Sequence, residues 1–119
     1  MSSIKSKLQE IIELNNQQKN VEAVEKYYAE DVKVTQADGS SIQGKAEILE
    51  STKEYIENIE SVKYDKCLSY LTSDKEGKSW DIYEFDLQHK TMGQMAGTQI
   101  SEMKWENGLI KEVKFTMQD

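Results

Sequence analysis

Glu84 and Asp86 are the residues whose type and spacing are best suited to proton-transfer chemistry. They lie two positions apart in a segment with strand-like alternation, so both side chains point to the same face of a sheet. If that face is apolar, loss of solvent and the neighbouring charge both raise a carboxyl pKa toward neutral pH. A carboxyl group with such a pKa can act as a general acid or base, which makes these two residues the candidate catalytic pair. The alternative is that they are solvated, unreactive residues at the open end of the sheet.

Apolar residues in the first half of the chain recur with the period of an amphipathic helix. This period predicts helices over roughly residues 3–17, over a short segment that starts at Asn20, and over roughly residues 45–60. Ser2 or Ser3 is available as the N-cap of the first helix. Between the second and third helices, alternation over residues 32–36 predicts a short strand, and Asp38-Gly39 predicts the turn that follows it.

From about residue 62 the hydrophobic period changes to two, and turn signals separate the apolar stretches. The predicted antiparallel strands cover roughly residues 62–73, 78–91, 95–106 and 109–117. Helices that come first and strands that follow are typical of an α+β fold. We therefore predict a single domain over residues 1–119, in which one strongly curved antiparallel sheet wraps around three N-terminal helices.

A two-residue turn near Met92-Gly93 is the predicted connection between the second and third long strands, and it fixes their register. It places the apolar pair of Phe85 and Ile100 on one face together with an Asp81–Lys104 ion pair, which supports the assignment. The opposite face then carries four predicted pairs: Trp80 with Trp105, Ile82 with Met103, Glu84 with Ser101, and Asp86 with Gln99.

The last hairpin leaves two alternatives for the face of the final strand. A type I turn with a glycine bulge at Glu106-Asn107-Gly108 is the favoured one. It places four residues on the face of Trp105: Leu109, Val113, Phe115 and Met117. A plain two-residue Asn-Gly turn would invert that strand.

Charge excludes one class of function. The chain of 119 residues has a formal net charge of −7 and a sequence pI near 4.8. All 15 basic residues are lysine, so no guanidinium group can grip a phosphate. Because nucleic-acid binding needs clustered Lys and Arg, we predict no nucleic-acid partner.

Cys67 and His89 are the only cysteine and the only histidine. Together they cannot supply a zinc site, and no phosphate-cradling glycine loop is present, so we predict no metal and no cofactor. Cys67 is expected to be a small buried side chain, and His89, near a hairpin end, to be exposed. The chain begins without the apolar core of a signal peptide and contains no stretch that could form a membrane helix. These features predict a cytoplasmic protein with no membrane partner.

Three motifs give the chain a family resemblance. They are Tyr27-Tyr28-Ala29-Glu30-Asp31-Val32, the stretch Ile42-Gln43-Gly44-Lys45-Ala46-Glu47-Ile48 after Gly39, and the closing Trp105-Glu106-Asn107-Gly108-Leu109-Ile110 hairpin. In order and spacing they resemble the small bacterial SnoaL-like members of the nuclear transport factor 2-like superfamily. The resemblance implies a cone-shaped, cystatin-like α+β roll that encloses an apolar pocket, and homodimers through the outer sheet face. It implies no single activity, because the fold hosts isomerases, cyclases, dehydratases, binders and assembly domains.

Ketosteroid isomerase, the best-understood enzyme of this kind, uses an Asp base, a Tyr and a protonated Asp. By resemblance these three positions correspond to Gln36, Ile12 and Ser101 in this chain. None can fill the role, so the resemblance argues against that mechanism.

The expected function is the binding of a small apolar metabolite without a cofactor, with proton transfer by Glu84 or Asp86 if the protein is catalytic. The alternatives are a binder without chemistry and a homo-oligomeric assembly module. We expect the pocket to be lined by an aromatic-aliphatic floor, two helix tyrosines and a few polar groups: Ile12, Tyr28, Gln36, Tyr55, Trp80, Ile82, Gln99, Ser101, Met103, Trp105, Val113 and Phe115.

A homodimer is the expected assembly. In the predicted register the outer sheet face carries a contiguous apolar patch formed by Tyr83, Phe85, Leu87 and Ile100. A patch of that kind is too apolar for a fully solvated surface and marks an interface.

Overall fold

The computed structural model describes residues 3–118, in which three helices and six strands form an α+β fold. The elements are α1 (Ile4–Asn16), α2 (Asn20–Tyr27), β1 (Tyr28–Thr35), β2 (Ser41–Gln43), α3 (Lys45–Glu57), β3 (Ile59–Ser73), β4 (Lys78–His89), β5 (Gly93–Glu106) and β6 (Leu109–Gln118). The predicted order of helices and long strands is therefore confirmed, and the bounds agree to within a few residues.

The six strands form one sheet in the order β2-β1-β6-β5-β4-β3. Neighbouring strands are antiparallel except for β1 and β6, which are parallel. The sheet is therefore mixed, whereas an antiparallel sheet was predicted. Register shifts interrupt the β1–β6, β3–β4 and β5–β6 ladders. Bulges of this kind bend a strand and increase its twist, which is how a sheet curves around a helical layer.

Two polar side chains fix the start of α1. The Ser3 hydroxyl accepts a hydrogen bond from the Ser6 backbone N–H at 3.2 Å, so Ser3 is the N-cap. Ser2, the other predicted cap, lies outside the described residues. Asp74, in the turn between β3 and β4, accepts a hydrogen bond from the Ile4 backbone N–H at 3.0 Å. This second bond ties the helix terminus to the sheet.

Burial alternates along β4 and distinguishes the two faces of the sheet. Four residues at odd positions are almost fully buried: Ser79, Asp81, Leu87 and His89. They define the inner face, on which the helices pack. The residues at the even positions of β4, from Trp80 to Gln88, lie on the outer face.

The main core lies between the inner face and all three helices. Its buried apolar residues are Leu8, Ile11, Ala23, Val24, Tyr27, Val32, Val34, Ile48, Met103, Trp105, Ile110 and Val113. The Tyr27 and Trp105 rings meet edge to face with centroids 6.2 Å apart, and the Trp105 indole donates a hydrogen bond to the Ser79 hydroxyl at 2.9 Å. This arrangement anchors α2 to the sheet.

The predicted register between β4 and β5 is wrong. His89 pairs with Gly93 across a loop formed by residues 90–92, so Trp80 lies opposite Glu102 and Asp81 opposite Ser101. The prediction placed Trp80 opposite Trp105, three positions further along. Because side chains alternate between faces, an odd displacement exchanges the inner and outer sets of β4.

The β5–β6 hairpin contains the plain two-residue Asn107-Gly108 turn, the less favoured of the two predicted alternatives. Asn107 and Gly108 have φ angles of 54° and 80°, and Glu106 pairs with Leu109 across this two-residue turn. A bulge at Lys111 then restores the alternation, because Trp105 pairs with Ile110 but Lys104 pairs with Glu112. Val113, Phe115 and Met117 therefore share the inner face as predicted, whereas Ile110 takes the inward position assigned to Leu109.

Candidate functional site

Beyond the core, the inner face carries polar, aromatic and other side chains that lie in three rows across the sheet. The first row runs Tyr70, Asp81, Ser101 and Phe115; the second Cys67, Tyr83, Gln99 and Met117; the third Asp65, Phe85 and Gly97. Directly opposite residues in an antiparallel ladder share a face, so these side chains converge on the space under the helices. We call this set the inner-face cluster.

Asp81 is the most unusual member of the inner-face cluster. Its side chain is almost completely buried, with 2% of the residue exposed, and its Oδ1 atom has no hydrogen-bond partner among residues 3–118. Burial raises the pKa of the Asp81 carboxyl to about 6, and a hydrogen bond from Ser101 opposes the rise only in part. A carboxyl group in this environment exchanges a proton close to neutral pH.

Two phenols lie within the electrostatic reach of Asp81. Burial raises the pKa of Tyr28 and of Tyr83, and the negative charge of Asp81 raises both further. The Asn15 side chain of α1 donates a hydrogen bond to the Tyr83 hydroxyl at 3.3 Å, which opposes the rise there. Both phenols are therefore protonated at neutral pH and can donate hydrogen bonds.

A second carboxylate occupies the third row. Burial raises the pKa of Asp65, whose residue lies directly opposite Phe85. The pKa of Tyr55 on α3 is raised mainly by burial and further by the charge of Asp65. The helix and the sheet thus bring a carboxylate and aromatic rings together.

His89 is buried, not exposed as expected, and its ring stacks on Tyr55 with centroids 5.3 Å apart. Its Nδ1 atom accepts hydrogen bonds from the backbone N–H groups of Thr91 and Met92, both at 3.3 Å. This leaves the ring proton on Nε2, which has no hydrogen-bond partner in the described part of the chain.

Two spaces adjoin the inner-face cluster. A cavity of about 90 Å³ lies between Tyr28, Phe115 and α3, with Gln36 among its lining residues. A more open groove of about 400 Å³ lies between Ile12 of α1 and the β3 segment from Cys67 to Tyr70. Asp81 raises the pKa of Tyr28 on one side and of Cys67 on the other, so its charge reaches both spaces.

Small-molecule sites have volumes of about 300 Å³ or more. The groove, at about 400 Å³, reaches this size, whereas the cavity, at about 90 Å³, does not. Burial, followed by the charge of Asp81, raises the pKa of Cys67, which disfavours a thiolate nucleophile. No group of three or more metal-ligating side chains occurs between residues 3 and 118.

The two predicted catalytic residues lie on the outer face. The Glu84 carboxylate is 3.9 Å from the Lys66 ammonium group, and the Asp86 carboxylate accepts a hydrogen bond from Gln94 at 3.3 Å. Trp80 and Ile82 share this face, and the Trp80 indole donates to Glu102 at 2.9 Å. The expectation that all four line the pocket is wrong, because the odd shift in register turns them outward.

The remaining predicted pocket residues fall into two groups. Six belong to the inner-face cluster or line one of the two spaces: Ile12, Tyr28, Gln36, Gln99, Ser101 and Phe115. Tyr55 belongs to neither set and stacks on His89. Met103, Trp105 and Val113 are buried in the main core and line neither space.

Most of the predicted dimer patch lies on the inner face of the sheet and not on the outer face. Tyr83, Phe85 and Leu87 face the helices, and Leu87 is 4% exposed, so only Ile100 remains on the outer face. The sequence signal was present in β4: the odd set of Tyr83, Phe85 and Leu87 is uniformly apolar or aromatic, whereas the even set ends in two carboxylates. Assigning the more apolar set to the interior would have placed Asp81 there as well.

Comparison with known proteins identifies the fold. No protein-family model matches the sequence, and no curated protein matches it. A candidate SnoaL-like polyketide cyclase from Mesorhizobium loti is similar in structure, with a TM-score of 0.81 and 23% identity over 96% of this chain and 98% of that one. A nuclear transport factor 2-like protein of unknown function from Burkholderia pseudomallei matches with a TM-score of 0.79 and 14% identity over 99% and 92%.

A third similar structure comes from Catenulispora acidiphila. It has a ketosteroid isomerase-like fold and was determined in complex with trimethylamine, with a TM-score of 0.68 and 11% identity over 96% of this chain and 85% of that one. Identities this low establish the architecture and leave the activity open. No helix among residues 3–118 is long and apolar enough to cross a membrane. The chain has the nuclear transport factor 2-like, cystatin-like α+β fold that its motifs predicted.

Proposed function

We propose that the protein binds an apolar metabolite against the inner-face cluster and that Asp81 exchanges a proton with it. The observation that carries the proposal is the buried Asp81 carboxyl, whose Oδ1 has no partner and whose pKa is raised to about 6. Keeping an unpartnered carboxyl group out of water costs stability, and such groups are concentrated at sites of chemistry. No cofactor is part of the proposal.

The ligand would enter through the groove between α1 and β3. This groove is large enough for a small molecule, and one of its lining residues, Cys67, lies directly opposite Tyr83 in the sheet. The smaller cavity beside Tyr28 and Phe115 holds about 90 Å³, which suits a few water molecules or one end of a ligand.

The chemistry that fits these residues is proton transfer next to a carbonyl group. Ionised Asp81 removes a proton from the carbon beside the carbonyl, and the electron pair moves to the carbonyl oxygen. Tyr28 and Tyr83 remain protonated and donate hydrogen bonds to that oxygen as it gains charge. In a β,γ-unsaturated carbonyl compound, return of the proton from Asp81 to the γ-carbon re-forms the carbonyl group, moves the double bond to the α,β position and regenerates the carboxylate.

The similar structures support this proposal only in outline. One is described as a candidate SnoaL-like polyketide cyclase, and another, from Rhodopseudomonas palustris, as a candidate isomerase. The trimethylamine complex supports the idea that a protein of this fold accepts a small organic molecule.

Exchange of α-protons in deuterated buffer tests the proposal. We expect the wild type to bind 2-tetralone, observed by protein NMR, and to accelerate deuterium incorporation at its α-carbons. Asp81→Asn should bind this ketone but lose about 10²-fold or more of the acceleration. Asp86→Asn, which removes a carboxylate from the outer face of the same strand, should exchange at the wild-type rate.

Binding without exchange would reject proton transfer and favour the alternative, a non-catalytic binder. Absence of binding to 2-tetralone and to a panel of other cyclic ketones would reject both. The third alternative, an assembly module, would then be left.

A homodimer through the outer face is proposed as the assembly. The outer face carries Leu71, Trp80, Ile82 and Ile100, in which Leu71 pairs with Trp80 and Ile82 with Ile100. Leu71 is 65% exposed, so the patch is not covered by the chain itself. An adjacent set of apolar side chains on one sheet face is typical of an interface.

A further inference from the structure

Helix α1 binds two phenols of the inner-face cluster through side-chain amides. The Gln9 amide donates a hydrogen bond to the Tyr70 hydroxyl at 2.7 Å. The Asn15 amide, six residues further along the helix, donates one to the Tyr83 hydroxyl at 3.3 Å. Ile12 lies midway between the two amides on the same helix face and lines the groove. The helix face that closes one side of the groove therefore also holds both phenols.

The two phenols provide separate contact points. Asp81 lies directly opposite Tyr70, and Tyr83 is two residues further along β4 on the same face. Residues in this diagonal relation are about 7–8 Å apart. The two amides that bind the phenols are separated by about 9 Å along the helix axis, at 1.5 Å per residue. One small molecule in the groove can therefore contact both hydroxyl groups with different atoms.

Both phenols keep a proton for a further partner. Each hydroxyl oxygen accepts from an amide N–H, and neither hydroxyl donates a hydrogen bond to any residue between 3 and 118. A phenol whose oxygen is engaged in this way still offers its O–H to an acceptor. Tyr70 lines the groove, and Cys67, which also lines it, lies directly opposite Tyr83. Two donors beside the groove favour a ligand with oxygen acceptors.

The surroundings of the groove favour a neutral ligand. Its lining residues carry no formal charge: Ile12, Cys67, Leu68, Ser69 and Tyr70. The buried Asp81 carboxylate lies directly opposite Tyr70, and its charge repels an anion. Its Oδ1 has no partner among residues 3–118, which independently indicates a ligand group beside Tyr70. A cation is disfavoured too, because phenol O–H groups have no proton acceptor to bind.

We propose that the groove binds a neutral diketone, whose two carbonyl oxygens accept hydrogen bonds from the Tyr70 and Tyr83 hydroxyl groups. The inference rests on the proposed function, because it assigns a substrate class to the ligand of the same site. The carbonyl whose α-proton Asp81 removes is the one bound by Tyr83, and the second carbonyl, at the far end of an apolar body, is bound by Tyr70. Gln9 is a positioning residue that keeps the Tyr70 proton available.

The ketones 6-acetyl-2-tetralone and 6-isopropenyl-2-tetralone test the proposal on the full chain. They differ only in that a CH₂ group replaces the second carbonyl oxygen. We expect the diketone to bind about fivefold more tightly in titrations followed by protein NMR, as for one added hydrogen bond. The preference should disappear in Tyr70→Phe and decrease in Gln9→Met. Tyr70 is 37% exposed, so loss of its hydroxyl should leave the fold intact.

Tyr64→Phe is the matched control, because Tyr64 lies on the same strand but opposite Asp86, on the outer face. It should keep the wild-type preference. Equal binding of the two compounds, no binding of either, or a preference that survives in Tyr70→Phe would overturn the diketone inference. A full preference in Gln9→Met would overturn the role of that amide. Exchange of α-protons on unsubstituted 2-tetralone needs no second oxygen, so it decides separately whether the proposed function stands.

Discussion

Asp81 is a buried carboxyl group whose presence is not explained by folding. Its carboxyl group lies on the inner face of β4, where the next three residues on the same face are Tyr83, Phe85 and Leu87. A hydrophobic residue here would extend the core, whereas a carboxylate loses its hydration. The position therefore lowers stability, and a function in binding or proton transfer would account for that.

Asp81→Asn is predicted to stabilise the protein at neutral pH. Folding raises the carboxyl pKa from an ordinary 3.8 to about 6, so the folded state favours the protonated form. The wild type should therefore lose stability as pH rises from about 4 to about 6, and the loss should level off above that range. The asparagine variant lacks this titration, so its advantage should grow over that range to at most about 3 kcal/mol. Urea denaturation at several pH values measures the difference.

Glu84→Gln is the matched control for this prediction. Glu84 lies on the outer face and its ion pair with Lys66 is long, at 3.9 Å, so the change in unfolding free energy should stay within about 0.5 kcal/mol. The burial explanation fails if both variants show the same pH dependence. It also fails if Asp81→Asn destabilises the protein at pH 7.

At the scale of elements, the hydrogen bond from the Ile4 N–H to Asp74 links the start of α1 to the β3–β4 turn. Asp74→Ala removes the acceptor for the Ile4 N–H and leaves the Ser3 cap in place. We predict a loss of about 1 kcal/mol in unfolding free energy, typical for loss of a helix cap. Chemical denaturation measures it, and Lys75→Ala in the same turn is the control. Equal effects of the two substitutions would show that the Asp74 bond contributes nothing.

The elements could be predicted from the sequence because their hydrophobic period is strong. The stripe of Ile4, Leu8 and Ile11 faces the core in α1, and the period of two begins close to the observed start of β3. Register could not be predicted, because it depends on the exact length of one loop. The β4–β5 connection contains residues 90–92, and an error of three positions in pairing was sufficient to invert the strand.

The error in the β4–β5 register also changed part of the predicted site. Tyr28, Tyr55 and Phe115 were expected near the pocket because they were assigned from the helices and from β6, where the Lys111 bulge compensated for the wrong turn. Asp81 and Tyr83 were missed because both lie on β4. A comparison of the apolar content of the two β4 faces would have corrected the orientation without a structure.

At the scale of the whole molecule, the outer face of the sheet combines apolar residues with charges of both signs. Lys66–Glu84 and Lys104–Glu112 lie on it beside Ile82 and Ile100. Charges that pair within one face do not repel a second copy of that face, even though each chain carries −7. In a two-fold arrangement the same patch of both copies forms the interface, so the apolar patch is buried on each copy.

We predict that light scattering at micromolar concentration will give twice the 13.7 kDa mass of the chain. Ile100→Asp places an unpaired carboxylate in the patch, opposite Ile82, and should produce a monomer, because burying an unpaired charge in an interface is strongly unfavourable. Leu71→Asp, at a residue that is 65% exposed, tests the same face with little risk to folding. Ala37→Asp adds the same charge in the exposed β1–β2 loop and should leave the mass unchanged. A monomeric wild type, or a dimer that survives both patch substitutions with circular dichroism unchanged, would exclude this interface.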